Sequence, residues 1–288
     1  MTANPWRDRA ALICVMLVAA IGWYFSKQGI GYFQPFEFMG LRFGLAAVLL
    51  LFFMRNRDWS KPNLIAGLKL GGVFFTSMVF WISAVDSSDL AGLGLGGFIM
   101  TLGVILSPLV GRIFFKEPLH QHYGVSMLAA LVGAFLMLGS YQSQSLYLFV
   151  VASTFLALYI SMMTGISRRN DHFVITFVGF VLVSVCMTLL SFALEARSST
   201  ISLHGLGWLL LSGVIATALR FILQIRVQGR MSQSEASIIM NLESVFVAGL
   251  AITLFGAQYQ WLQWTGAALI VTSAILIVFR PQKKSTSH

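Results

Sequence analysis

Five ionisable side chains stand inside long apolar stretches of this 288-residue chain: Glu37, Arg42, Lys69, Arg220 and Glu243. A charge near the centre of a hydrocarbon layer costs at least about 2.5 kcal/mol, so such a group faces a cavity or a partner. Arg220 and Glu243 fall on consecutive apolar stretches, at depths of roughly 8 and 12 Å from the same end. That matches an ion pair between them; the alternative for Glu243 is a contact with a ligand's ammonium group or a role as proton carrier. Arg42 lies roughly 10 Å in from the opposite end of its stretch and is either a helix-packing residue or a binding one. Lys69 is expected to extend its stem back to the interface.

Nothing else in the chain is poised for catalysis. There is no HExxH, no phosphate-cradling glycine loop, no GxSxG and no Cys-rich metal motif. His120 and His122 form the one close histidine pair, and i, i+2 spacing on a helix points their rings apart. Cys14 and Cys186 both fall in apolar surroundings, where a thiol behaves as a small hydrophobe. The sequence therefore implies neither an enzyme nor a metal nor a cofactor.

The elements that must position these groups are membrane spans. A spanning helix takes about 20 apolar residues, and ten such stretches are readable: 10–26, 35–54, 63–85, 90–111, 120–139, 146–167, 172–195, 203–225, 235–256 and 260–280. With 57% hydrophobic and 10% charged residues, the chain departs far from a soluble domain. The fold class expected is an all-α polytopic membrane protein. Its first stretch follows Arg7 and Arg9 like a signal sequence, but nine further spans favour an uncleaved first helix.

Lys and Arg fill alternate gaps between the stretches. With the N-tail cytoplasmic, the inner gaps hold Arg7, Arg9, Arg55, Arg57, Lys61, Arg112, Lys116, Arg168, Arg169, Arg226, Arg230, Arg280, Lys283 and Lys284, while the outer gaps hold only Lys27 and Arg197. By the positive-inside rule both termini are cytoplasmic, which an even number of spans requires. The net charge of +9 is thus read as anchoring to anionic lipid, since it forms no basic stripe with interleaved aromatics of the kind that binds nucleic acid.

One membrane domain, 1–288, is expected, with its internal seam at Gly139 to Ser145 dividing a first half, 1–144, from a second, 145–288. Five spans per half make the second half enter from the opposite side, the arrangement of an inverted repeat. GVFFTSMVF from Gly72 matches GVIATALRF from Gly213 at several offsets, and Gly124 stands opposite Gly266 in the fifth and tenth stretches.

Three segments resemble the EamA repeat of the drug/metabolite transporter superfamily: FMGLRFGLAAVLLL in the second stretch, SEASIIMNLESVFV from Ser234 in the ninth, and the FFKEPLHQHYG turn. The chain departs from the pattern at Ser244, where the repeat usually has Pro, and at Ala257, where the turn usually has Glu. The resemblance implies two five-helix repeats and a carrier of the inner membrane. Over the whole chain it is closest to the YddG-type amino acid exporters, which implies export of amino acids, aromatic or other bulky neutral ones, by alternating access, as a monomer or weak homo-oligomer. Drugs, nucleotide sugars or other metabolites are the alternative cargoes. An intramembrane enzyme or a structural membrane partner is the alternative of another class.

On such a repeat, Trp23, Trp81, Phe98, Tyr159 and Phe221, with Met78, Met100 and Met162, would surround a central path and could wall a pocket for apolar side chains. Arg42 and Glu243 would be its polar members. The fourth stretch carries Gly92, Gly94, Gly96, Gly97 and Gly103 before Pro108, either to pack closely or to bend and gate the path.

The charge asymmetry predicts the topology. Reporter fusions after Gly139 and Gln258 should read the outer side, and fusions at Asn56 and the C-terminus the cytoplasm. A cytoplasmic reading at Gly139 would rule out the five-plus-five arrangement.

Overall fold

Apolar sequence of this length must satisfy its backbone internally, and helices do so within one segment. The computed structural model describes residues 5–116, 123–140, 143–166, 170–195, 202–228 and 233–279; the turn holding His120 and His122 lies outside them. Among the described residues the chain forms ten helical rods and no strand. They are α1 (Pro5–Gly29), α2 (Pro35–Leu51), α3 (Lys61–Ser87), α4 (Leu90–Phe115) and α5 (Tyr123–Ser140), then α6 (Gln144–Ile166), α7 (His172–Leu194), α8, α9 (Gln233–Phe255) and α10 (Trp261–Phe279). Rod α8 is composite: α-helix at Leu203–Leu210, π-helix at Leu211–Leu219, then α-helix at Arg220–Gln228.

Six of the rods are long and apolar enough to cross a bilayer by length and composition, and α5 and α9 carry the shorter apolar stretches Tyr123–Leu136 and Ile239–Leu254. Helix starts follow local chemistry. The Asp89 carboxylate accepts from Gly92 N at 2.7 Å, the Asp171 carboxylate from Phe173 N at 2.9 Å, and the Ser202 hydroxyl from Gly205 N at 3.0 Å. Each satisfies a donor that the first helical turn leaves open.

The packing repeats itself under exchange of the two halves. α4 packs on α6 as α9 packs on α1; α3 packs on α6 as α8 packs on α1; α3 packs on α7 as α8 packs on α2. The pairs α2 with α7, α4 with α9 and α5 with α10 are their own counterparts. Two inverted five-helix repeats thus interlock, with nearly every large interface formed between halves.

Glycines mark these crossings, because small residues let helix axes approach. A Cβ on Gly22 of α1 would lie 2.6 Å from the Ala216 Cβ of α8, and one on Gly133 of α5 would lie 2.6 Å from the Gly266 carbonyl of α10. At the α3–α7 crossing two glycines face each other, and a Cβ on Gly71 would stand 2.8 Å from the Gly179 Cα.

Pro108 does not break α4. It lacks the N–H that would bond Val104 O, and the Ser107 hydroxyl donates to that carbonyl instead at 2.9 Å. The departure from α-helical geometry lies in the other repeat, in α8.

Neighbouring glycines on α3 give a controlled test. Gly71→Ala presses a methyl group onto the α7 backbone and should lower stability by about 1–3 kcal/mol, whereas Gly72→Ala, with nothing within 4 Å of its Cβ, should be neutral or slightly stabilising. Thermal unfolding in detergent measures both, and equal melting would remove the close crossing.

Candidate functional site

The charges inside the bundle converge where α1, α2, α8 and α9 meet. Arg220 stands about 12 Å from the Gln228 end of α8 and Glu243 about 15 Å from the Gln233 end of α9, and these ends lie on the same face as the N-terminus. Their side chains pair, with Arg220 Nη2 donating to Glu243 Oε2 at 3.0 Å. The second carboxylate oxygen accepts from Trp23 Nε1 of α1, also at 3.0 Å. Both oxygens of Glu243 are therefore engaged.

Arg42 comes to the same region from the other side of the bundle and is only 8% exposed. Its Nε donates to Thr217 Oγ1 and its Nη1 to Ser26 Oγ, each at 2.6 Å. Those hydroxyls have no freedom left: Thr217 donates to Ser212 O at 2.8 Å across the π-helical turn, and Ser26 to Gly22 O at 2.7 Å. They present their lone pairs to the guanidinium and fix its plane. No carboxylate pairs with Arg42 among the described residues, while Arg220 and Glu243 are near enough to act on it electrostatically.

The π-helical stretch of α8 has a local purpose here. Widening to i→i+5 hydrogen bonds, it packs Ala216 onto Gly22 and Gly213 beneath the Arg42 carbonyl, and it aims Thr217 at Arg42 and Arg220 at Glu243 from adjoining turns. Such π segments are frequent at functional sites.

Aromatic rings enclose the charges. Trp81 meets Trp23 edge to face at 5.2 Å and lies 5.9 Å from the Arg42 guanidinium. Phe43 lies 5.8 Å from the same guanidinium. Edge contacts then run from Phe43 to Phe74 and Phe180 and from Phe180 to Phe221, over which the Arg220 guanidinium sits at 4.9 Å, and a tilted contact joins Phe74 to Tyr159. Three buried polar atoms of α8, Ser212 Oγ, Arg220 Nε and Gln224 Oε1, have no hydrogen-bond partner among the described residues. An apolar recess of about 230 Å³ lies against Arg220, between Ala11, Cys14, Val15 and Val18 of α1 and Leu219, Leu223 and Val227 of α8.

The sequence matches the EamA-like transporter family twice, over residues 10–139 and 144–279. The chain belongs to the EamA-like transporter family. An "Uncharacterized transporter" of Archaeoglobus fulgidus is 24% identical over 260 residues, covering 88% of this chain and 80% of that protein. The "Uncharacterized transporter YyaM" of Bacillus subtilis is 25% identical over 120 residues, covering 39% and 38%. A solved structure described only as "Crystal structure of protein" aligns with a TM-score of 0.67 at 16% identity, over 96% of this chain and 99% of that one. That likeness shows the fold alone.

Within this EamA protein, the residues singled out from sequence divide. Trp23, Arg42, Trp81, Phe221 and Glu243 come together, and Tyr159 joins through Phe74. Met78, Phe98 and Met100 pack in the main apolar core, while Met162 lies half-buried against Ala66, Leu70 and Ile175. Lys69 is exposed. Glu37 serves the start of α2, its carboxylate accepting from Gln34 N at 3.4 Å. Ser26 and Thr217 were not singled out from sequence; Thr217 left a signal, a hydroxyl three residues before Arg220 on one helix.

Of the α4 glycines, Gly92 donates its N–H to the Asp89 cap, Gly94 lies against the Tyr259 hydroxyl, and Gly96 lies against the Phe149 ring. A Cβ on Gly97 would stand 3.2 Å from the Val247 Cβ of α9. Tyr259 itself sits in the α9–α10 turn, where burial and then Asp89 push its phenol up to about 12, so it remains a neutral donor to Ala91 O at 3.4 Å.

The pair is testable apart from any cargo. Glu243→Gln leaves Arg220 without its counter-charge, and because the side chains are 18% and 24% exposed a loss of about 2 kcal/mol is expected rather than the larger cost of a fully buried break. A Glu243→Met, Arg220→Met double variant should recover much of it. Thermal unfolding in detergent decides this, and an unchanged melting point for Glu243→Gln would mean the ion pair carries no stability.

Proposed function

We propose that this EamA protein is a carrier of the inner membrane, with both termini in the cytoplasm, that exports amino acids and related metabolites by alternating access and needs no cofactor. The observation that carries the reading is the cluster of Arg42, Arg220 and Glu243 among aromatic rings where α1, α2, α8 and α9 of the two repeats meet, the region in which such repeats bind solutes. Rings of Trp81, Tyr159 and Phe221 suit an aromatic or other bulky neutral side chain. The relatives described as transporters support the coarse reading.

For the moving wall we propose α4. Gly94, Gly96 and Gly97 let it lie close on α6 and α9, and Pro108 leaves the backbone ladder one N–H short, a place where the helix can flex. Gly94→Ala and Gly97→Ala should then slow transport more than they weaken binding.

The experiment is uptake by purified protein in liposomes, across labelled amino acids, nucleotide sugars and cationic drugs. Counterflow of bulky amino acids is expected, reduced more for them than for small ones by Trp81→Ala or Tyr159→Ala. A pH gradient alone should not concentrate the solute, because Glu243 is the one acidic group deep within the described spans and no relay of Asp, Glu or His crosses the bundle. Movement of nucleotide sugars or drugs but no amino acid would discard this reading of the cargo.

A further inference from the structure

Three charged side chains lie deep in the described bundle, and their sum is not zero. Arg220 and Glu243 cancel. Each oxygen of Glu243 is already engaged, one by Arg220 and the other by the Trp23 indole. Arg42 is left with one positive charge, 8% exposed, against two hydroxyls whose own protons are directed at backbone carbonyls. A guanidinium has five N–H donors, and two of these are used among the described residues. Hydroxyl oxygens orient a guanidinium but supply no compensating charge, and an uncompensated ion in this setting is expensive.

We propose that Arg42 is the anion-binding residue of this buried cluster and that the carboxylate, not the ammonium group, is what a solute must carry to be recognised. The inference rests on the transporter reading above and deepens it. The remaining N–H donors of Arg42 offer the parallel fork that a carboxylate accepts, and Phe43 and Trp81 flank the guanidinium with apolar surface for the body of the same molecule. An ammonium group finds the opposite: two guanidiniums, and a carboxylate whose charge Arg220 already balances. The site therefore takes an apolar monocarboxylate as well as an amino acid, and rejects the corresponding amine. Ser26 and Thr217 are positioning residues, because they hold the guanidinium plane without meeting the solute.

The test is a charge series on one skeleton. Phenylalanine, 3-phenylpropanoate, phenylalanine amide and phenethylamine are offered to the wild-type protein in liposomes, as competitors of whichever amino acid the uptake panel shows to move. Binding is read in parallel from the Trp fluorescence of the detergent-solubilised protein. The expected result is that 3-phenylpropanoate competes within severalfold of phenylalanine, while the amide and the amine are weaker by roughly 10- to 100-fold, the range of one charge-assisted hydrogen-bonded contact. Arg42→Gln should abolish the difference between acid and amide, Arg42→Lys should keep part of it, and Thr217→Val should shrink it while the protein still binds. Should Arg42→Gln fail to fold, the wild-type series stands by itself. Equal competition by amide or amine, or failure of every carboxylate lacking an ammonium group to compete, would overturn the assignment while leaving transport intact. A protein that moves and binds no solute at all would instead remove the transporter reading, and this inference with it.

Discussion

Everything in the interior is arranged around a guanidinium that cannot be left in hydrocarbon. Arg42 is buried midway along α2, and its side chain turns into the bundle rather than reaching back to a headgroup. Two neighbouring helices therefore come to it. Ser26 of α1 and Thr217 of α8 accept its protons, and each hydroxyl is available only because the helix beneath it is close. On α1 this closeness comes from Gly22 against Ala216; on α8 it comes from a π-helical stretch that turns Thr217 toward α2.

A second consequence concerns the partner charges. Placed near a buried cation, Arg220 would repel it unless its own charge were drawn away, and Glu243 does this from α9. Trp23 then satisfies the remaining oxygen, which aligns α1 with α9. Three helices of the two repeats are thereby tied through one carboxylate. The hydrogen bond from Tyr24 to Val247 O at 2.7 Å reinforces the same contact from the next residue on α1, so that α1 is held to the second repeat by two adjacent aromatic donors.

Much of the architecture was legible in the chain because a bilayer leaves few alternatives to a helix. All ten expected stretches coincide with helical rods to within a few residues, and the depths of Arg220 and Glu243 sufficed to anticipate that they meet. What could not be read is non-local. Ser26 is 16 positions from Arg42 and Thr217 is 175 away, and LSGVIATAL has nothing in its composition that distinguishes a π-helix from an α-helix. The glycines of α4 show the same limit: the motif allows a hinge or a close crossing, and only the neighbours, Tyr259, Phe149 and Val247, reveal how tightly this helix is embraced. Pro108 looks like a break in sequence, yet the hydroxyl one residue before it takes over the missing hydrogen bond.

The two faces of the bundle are fastened differently from its middle, and this bears on how such a molecule changes shape. On the face that carries the N-terminus, Arg57 approaches the Asp171 carboxylate at 3.5 Å and Asn63 accepts from Asp171 N at 3.1 Å. On the opposite face, Lys27 donates to the terminal carbonyls of α3, Val85 O and Asp86 O, at 2.9 and 2.7 Å, where a cation also favours the negative end of the helix dipole. Glu195 likewise accepts from Phe36 N and Glu37 N at the start of α2. Contacts of this kind are solvated and worth roughly 1 kcal/mol or less apiece, so a few can open without threatening the fold. The Arg42 bracket is desolvated, and opening it without a replacement anion would be far more costly. On the alternating-access reading, the faces can exchange their fastenings while the guanidinium keeps its place between α1 and α8, and a bound anion lowers the cost of loosening the helices around it.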